Sequence, residues 1–143
     1  MRFKPLETEE EWNWFHERTH TIFCADTQGI VAYDERGIQA VAVFDSWTVD
    51  ACSVHFAIAN PMAIRRGFLH EIGRHLFEAC GRKRIFGLVP DNNAKAVKFD
   101  HHIGMRTVAH IPDAISEGVG YHVMRMDKEE CRWITQPAKE EAA

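Results

Sequence analysis

Residues 54–80 read VHFAIANPMAIRRGFLHEIGRHLFEAC, and the way this stretch divides decides the fold. Val54–Ala59 is an apolar, strand-like run. NPMAIRRG is a tight basic connection closed by Gly67. Phe68 to Cys80 carries Phe68, Leu69, Ile72, Leu76 and Phe77 at helical spacing. A strand that enters a helix through so short a turn aims the first unbonded N–H groups of the helix past the strand end. Those amides, the positive end of the helix dipole, and Arg65 and Arg66 together predict a seat for a phosphate-like anion.

Working outward, Thr8 followed by Glu9, Glu10 and Glu11 predicts a capped helix to about His20, with Trp12, Phe15 and Thr19 facing inward. Ile30–Tyr33 and Ile38–Trp47 read as strands joined by a hairpin turn at Asp34-Glu35-Arg36-Gly37. The second of them is apolar on both faces, as a central strand covered on both sides would be. Ala51–Ala59 is the third strand. Downstream, Gly81 closes the helix, Arg84–Val89 is a short strand, and Asn93 caps a helix from Ala94 to about Ile103, ended by Gly104. Thr107–Ile111 and Val119–Met126 are the last strands, flanking a polar loop with Gly118 and Gly120. Residues 1–135 read as one domain and 136–143 as a polar, disordered tail. This order predicts an α/β fold: a central twisted mixed sheet of about six to seven strands with helices on both faces.

The 143 residues suffice for one self-supporting core, and 45% hydrophobic content is that of a globular domain. A net charge of −4 argues against a nucleic-acid partner. Cys24, Cys52, Cys80 and Cys131 form no CxxC pair, so reduced thiols and a cytoplasmic setting are expected. Neither a leader nor a membrane span is expected, since no long apolar run occurs. His16-Glu17-Arg18-Thr19-His20 matches HExxH, which on a helix places two imidazoles on one face for zinc with Glu17 to activate water. The competing reading is a solvated helix end with coincidental spacing: Trp12 and Phe15 already occupy the inward face, and no second motif places an obvious third ligand, although His101-His102 could be recruited in space. No metal is expected.

The stretch VPDNNAKAVKFDHHIGM, residues 89–105, and the element order resemble the GNAT family of acyl-CoA-dependent N-acyltransferases over nearly the whole chain. In that family an Asn opens the late helix and an apolar stripe leads to a closing glycine; Asn93, Ala96, Phe99, Ile103, Gly104 and Met105 fall in that register. The resemblance implies transfer of an acetyl group from acetyl-CoA, or another acyl-CoA, to a small-molecule or peptide amine by direct attack. The pantetheine arm would bond the main chain of Ile58 and Ala59, with Asn93 nearby. The pyrophosphate would rest on amides from Arg65, Arg66, Gly67, Phe68 and Leu69. His55 is the candidate base, and Tyr121 and His122 lie within reach of the same cleft. Asp100 stands where many members carry a Tyr that protonates the departing thiolate, a task it can perform only if burial raises its pKa. Ile64 and Leu69 depart from the family's phosphate loop, so a non-catalytic acyltransferase-like binding module is the alternative. A homodimer would use Trp47, Trp133 and the late strands.

Overall fold

The computed structural model describes residues 1–134, so the expected tail at 136–143 lies outside the described residues. Seven strands form one sheet: β1 (Arg2–Pro5), β2 (Gln28–Asp34), β3 (Gly37–Asp45), β4 (Ala51–Ile58), β5 (Arg84–Pro90), β6 (Arg106–Ser116) and β7 (Val119–Asp127). Their spatial order is β1-β2-β3-β4-β5-β7-β6. Every neighbouring pair is antiparallel except β4 with β5. The expected mixed sheet is therefore present.

Helix α1 (Glu9–Thr19) covers one face, where Phe15 is fully buried against Val31, Val41, Val43 and Ala57. Its start has the expected capping box: Thr8 accepts from the Glu11 amide, while the Glu11 carboxylate accepts from the Thr8 amide at 3.0 Å. The other face carries a short α2 (Met62–Arg65), α3 (Phe68–Gly73) and α4 (Ala94–His102) over Phe44, Val54, Ile85, Met124 and Met126. Phe68, Ile72, Leu76 and Phe77 are buried there, each contributing about 1.5–3 kcal/mol of apolar burial. Strand β3 is buried from Ala40 to Asp45, as expected for a strand covered on both faces.

Four elements differ from the expectation. Arg2–Pro5 forms an edge strand, since a proline at a strand end costs no ladder bond that the edge needs. The predicted single helix after Gly67 becomes α3 continued by a π-helical segment, Arg74–Ala79, in which the Cys80 amide reaches five residues back to His75. The connection before it holds the extra turn α2, joined to α3 by Gly67 at φ 105, a left-handed conformation that favours glycine. Strand β6 runs to Ser116 rather than Ile111, passing Pro112 and Asp113 through a register shift.

Candidate active site

Strands β4 and β5 pair at only three positions, Ala51 with Arg84, Cys52 with Ile85 and Ser53 with Phe86. Beyond these they part. The rest of β4 stays bonded to β3 as far as Ile58 and the rest of β5 to β7 as far as Pro90. Each therefore keeps one unpaired main-chain edge facing the other. The opening is a cleft of about 700 Å³ lined by both strands, by the end of α1 and the loop after it (Arg18, Thr19, Thr21), and by α4.

Of the residues singled out from sequence, His55, Ile58, Ala59, Asn93 and Asp100 come together in this cleft. Asn93 caps α4, its side-chain oxygen accepting from the Ala96 amide at 3.1 Å. The Arg65–Leu69 segment does not line the cleft; it stands beyond the end of β4, where the Ala59 and Asn60 amides both turn back to the Gln39 carbonyl. One of its expected anion donors is already used, because the Arg66 amide bonds the Met62 carbonyl at 2.9 Å. The Phe68 ring is core, 6.2 Å from Phe3, so this residue offers only main chain. Ile64 and Leu69 both pack against the core. The Gly67, Phe68 and Leu69 amides precede or begin α3, where no intrahelical acceptor exists.

Asp100 lies where the strands begin to part. A Cβ at Gly87 would sit 3.7 Å from Asp100 Oδ2 and 3.7 Å from the Val54 carbonyl oxygen, the first positions past the last β4–β5 pair. The side chain is 7% exposed, and among the described residues no cation pairs with it. Burial without a compensating charge disfavours the carboxylate and pushes its pKa up to about 7. Phe99 beside it packs edge-to-face on Phe56, with 5.6 Å between ring centres.

His55 sits on the opposite, α1-covered face, because its cross-strand partner is Val43 and its alternate neighbour Ala57 belongs to the Phe15 cluster. Its Nε2 lies 3.0 Å from Oδ1 of Asp45, a carboxyl that is 6% exposed. A carboxylate oxygen accepts, so in this contact Nε2 is the nitrogen that donates, and Nδ1 is the ring nitrogen not engaged by Asp45. Asp45 is absent from the sequence-based candidates. The one signal for it is a charge ending an otherwise apolar run, AVAVFD, at 40–45. Arg18, Thr19, Thr21 and Lys95 also line the cleft, and no sequence motif points to them as such.

The remaining candidates have structural places. His16 Nδ1 is 2.8 Å from the Thr21 carbonyl and His20 closes α1 in the left-handed conformation, so the HExxH match falls at the end of α1 with its second His outside the helical residues. No group of three metal-ligating side chains occurs among the described residues. His110 contacts Asp91 at 2.8 Å and stacks near His122, 4.9 Å between ring centres. Burial pushes the Cys52 thiol up to about 12, which leaves it unreactive. Trp133 is buried, its Nε1 donating to the Ile103 carbonyl at 2.7 Å, and so presents no surface for a second copy.

No protein-family model matches the chain, and no curated protein matches it in sequence. Solved structures do match. Mutant forms of the spermidine/spermine N-acetyltransferase SpeG from Vibrio cholerae superpose with a TM-score of 0.74 at 10% identity, covering 94% of this chain and 97% of that one. A protein assigned to the GNAT-family acetyltransferases from Desulfovibrio desulfuricans gives 0.70 at 13% identity, covering 89% and 98%. The protein smu.2055 from Streptococcus mutans gives 0.70 at 14%, covering 90% and 99%. Likeness over whole chains, together with the parted central strands, identifies the architecture: the chain has the fold of the GNAT N-acetyltransferases.

Proposed function

We propose that this protein is an acyl-CoA-dependent N-acyltransferase that moves an acetyl group to an amine by direct attack. The observation that carries the reading is the parting of β4 and β5 after three pairs, which leaves two facing main-chain edges and a buried, neutral-poised carboxyl between them. An acyl-CoA arm fits such a gap as a short inserted strand, bonding Ile58 and Ala59 on one side. Its diphosphate would rest at the start of α3 with Arg65 or Arg66 adding charge, and Asn93 would hold the α4 end of the arm. His55, oriented by Asp45, takes the proton of the incoming ammonium. The amine nitrogen then bonds the thioester carbonyl carbon, the C–S bond breaks, the protonated fraction of Asp100 supplies the proton that the departing thiolate needs, and the surplus proton on the new amide nitrogen passes to water.

Isothermal titration with acetyl-CoA tests this directly. Saturable heat together with amine-dependent release of free thiol is expected. No heat at millimolar acetyl-CoA overturns the reading. The second reading, a binding module without turnover, is favoured by Ile64, whose packing against the core removes a cation from the phosphate loop. Heat without thiol release would select it.

A further inference from the structure

Provided that acyl transfer takes place in this cleft, as proposed, the α1 side decides which amine can approach. The charged or titratable side chains lining the cleft are Arg18, His55, Lys95 and Asp100. Asp100 is the one carboxyl among them, and burial holds it largely neutral up to about pH 7. Asp45 lies behind His55 and is engaged by its imidazole. Lys95 is in the first turn of α4, on the side assigned to the acyl carrier. That leaves Arg18 as the fixed charge on the acceptor side.

Arg18 is set apart from many cations of the chain. Lys4, Arg36, Arg74, Arg84, Arg106 and Arg125 each meet a carboxylate at 2.7–3.8 Å. Arg18 meets none among the described residues. Instead its Nη1 donates to the Trp14 carbonyl at 2.8 Å and its guanidinium lies over the Trp14 ring, 3.8 Å from the centroid. Stacking and one main-chain bond hold the planar fork in place, and its other N–H groups remain for a ligand. A site for a polycation needs the opposite arrangement: ionised carboxylates spaced along the wall with no fixed cation among them.

We infer that the acceptor is an amine carrying an anionic group, a carboxylate or a phosphate, that rests on Arg18 while the amino group approaches from the His55 side of the sheet. It is thus not a polyamine of the kind named for the SpeG structures. Arg forms bidentate, charge-assisted bonds with both anions, so the shared chemistry is a small amine with a terminal oxyanion.

Pairs of amines with and without the anionic group test it: O-phosphoethanolamine against ethanolamine, the near-isosteric β-alanine against β-alaninamide, and spermidine as the polycation. With acetyl-CoA fixed, kcat/KM from thiol release should favour one anionic member over its neutral partner by roughly tenfold, and over spermidine by more. Which pair shows the larger ratio separates phosphate from carboxylate. Arg18→Gln should bring that ratio close to one, and Arg18→Lys should retain part of it. Preference for spermidine or the neutral partners, or a ratio untouched by Arg18→Gln, overturns the inference. So does acetyl-CoA binding with no turnover of either anionic amine. Absence of acetyl-CoA heat is a different failure, that of the reaction itself, and the same titration on Arg18→Gln confirms that the variant is folded.

Discussion

Asp100 titrates near pH 7 in the folded chain because it is buried without a partner, whereas an unfolded aspartate titrates near 4. Between those values the folded state holds a proton that the unfolded chain has lost. Stability is then complete below about pH 4 and falls as pH rises to about 7. Three pKa units correspond to about 4 kcal/mol as an upper figure. Asp100→Asn cannot ionise, so in urea unfolding it should exceed the parent by roughly 2–4 kcal/mol at pH 8 and by little at pH 4. A gain independent of pH would contradict a buried neutral carboxyl. The same substitution removes the acid, and thiol release should drop by about 100-fold.

At the scale of elements, α1 is the piece that carries Arg18, and its position depends on its first turn. Burial by itself would raise the Glu11 pKa. Lys4 Nζ at 2.7 Å and the amides of Glu7 and Thr8 overcome that and lower it to about 2. The stability so gained is present above about pH 4.5 and is lost as pH falls toward 2. Glu11→Gln should therefore cost about 1–3 kcal/mol at pH 7, read as a lower melting temperature, with parent and variant converging near pH 2. This cap was legible in sequence, because Thr8 and Glu11 stand at the spacing that a capping box requires. So were β3, from its two apolar faces, and α4, from Asn93 and Gly104. Strand β1 was not: four residues, RFKP, are too few to show a period, and only pairing with β2 makes them a strand. The π-helical segment was equally hidden, since apolar spacing over six residues does not separate a bond reaching four residues back from one reaching five. Asp45 and His55 are ten residues apart, and only the β3–β4 register brings them to 3.0 Å.

Over the whole molecule, labour divides by face. His55, Asp45 and Arg18 stand with α1, while Asp100 and Asn93 stand with α4, and the gap between β4 and β5 is the passage through the sheet. Sequence placed His55 and Asp100 in one site but could not place them on opposite faces, because that follows from strand register rather than from any local motif. No described helix is long and apolar enough to cross a membrane.

The parted strands leave a mark that needs no catalysis to detect. A central strand normally locks every amide against both neighbours, and its protons exchange with solvent only through global opening. Here alternate amides of Val54–Ile58 and of residues 87–89 face an open gap instead. In deuterated solvent they should exchange orders of magnitude faster than those of β3, an island of rapid labelling in the middle of the sheet. Acetyl-CoA should slow these positions while leaving β2 and β3 unchanged. Uniform protection across β4 without ligand would mean that the gap is closed in solution.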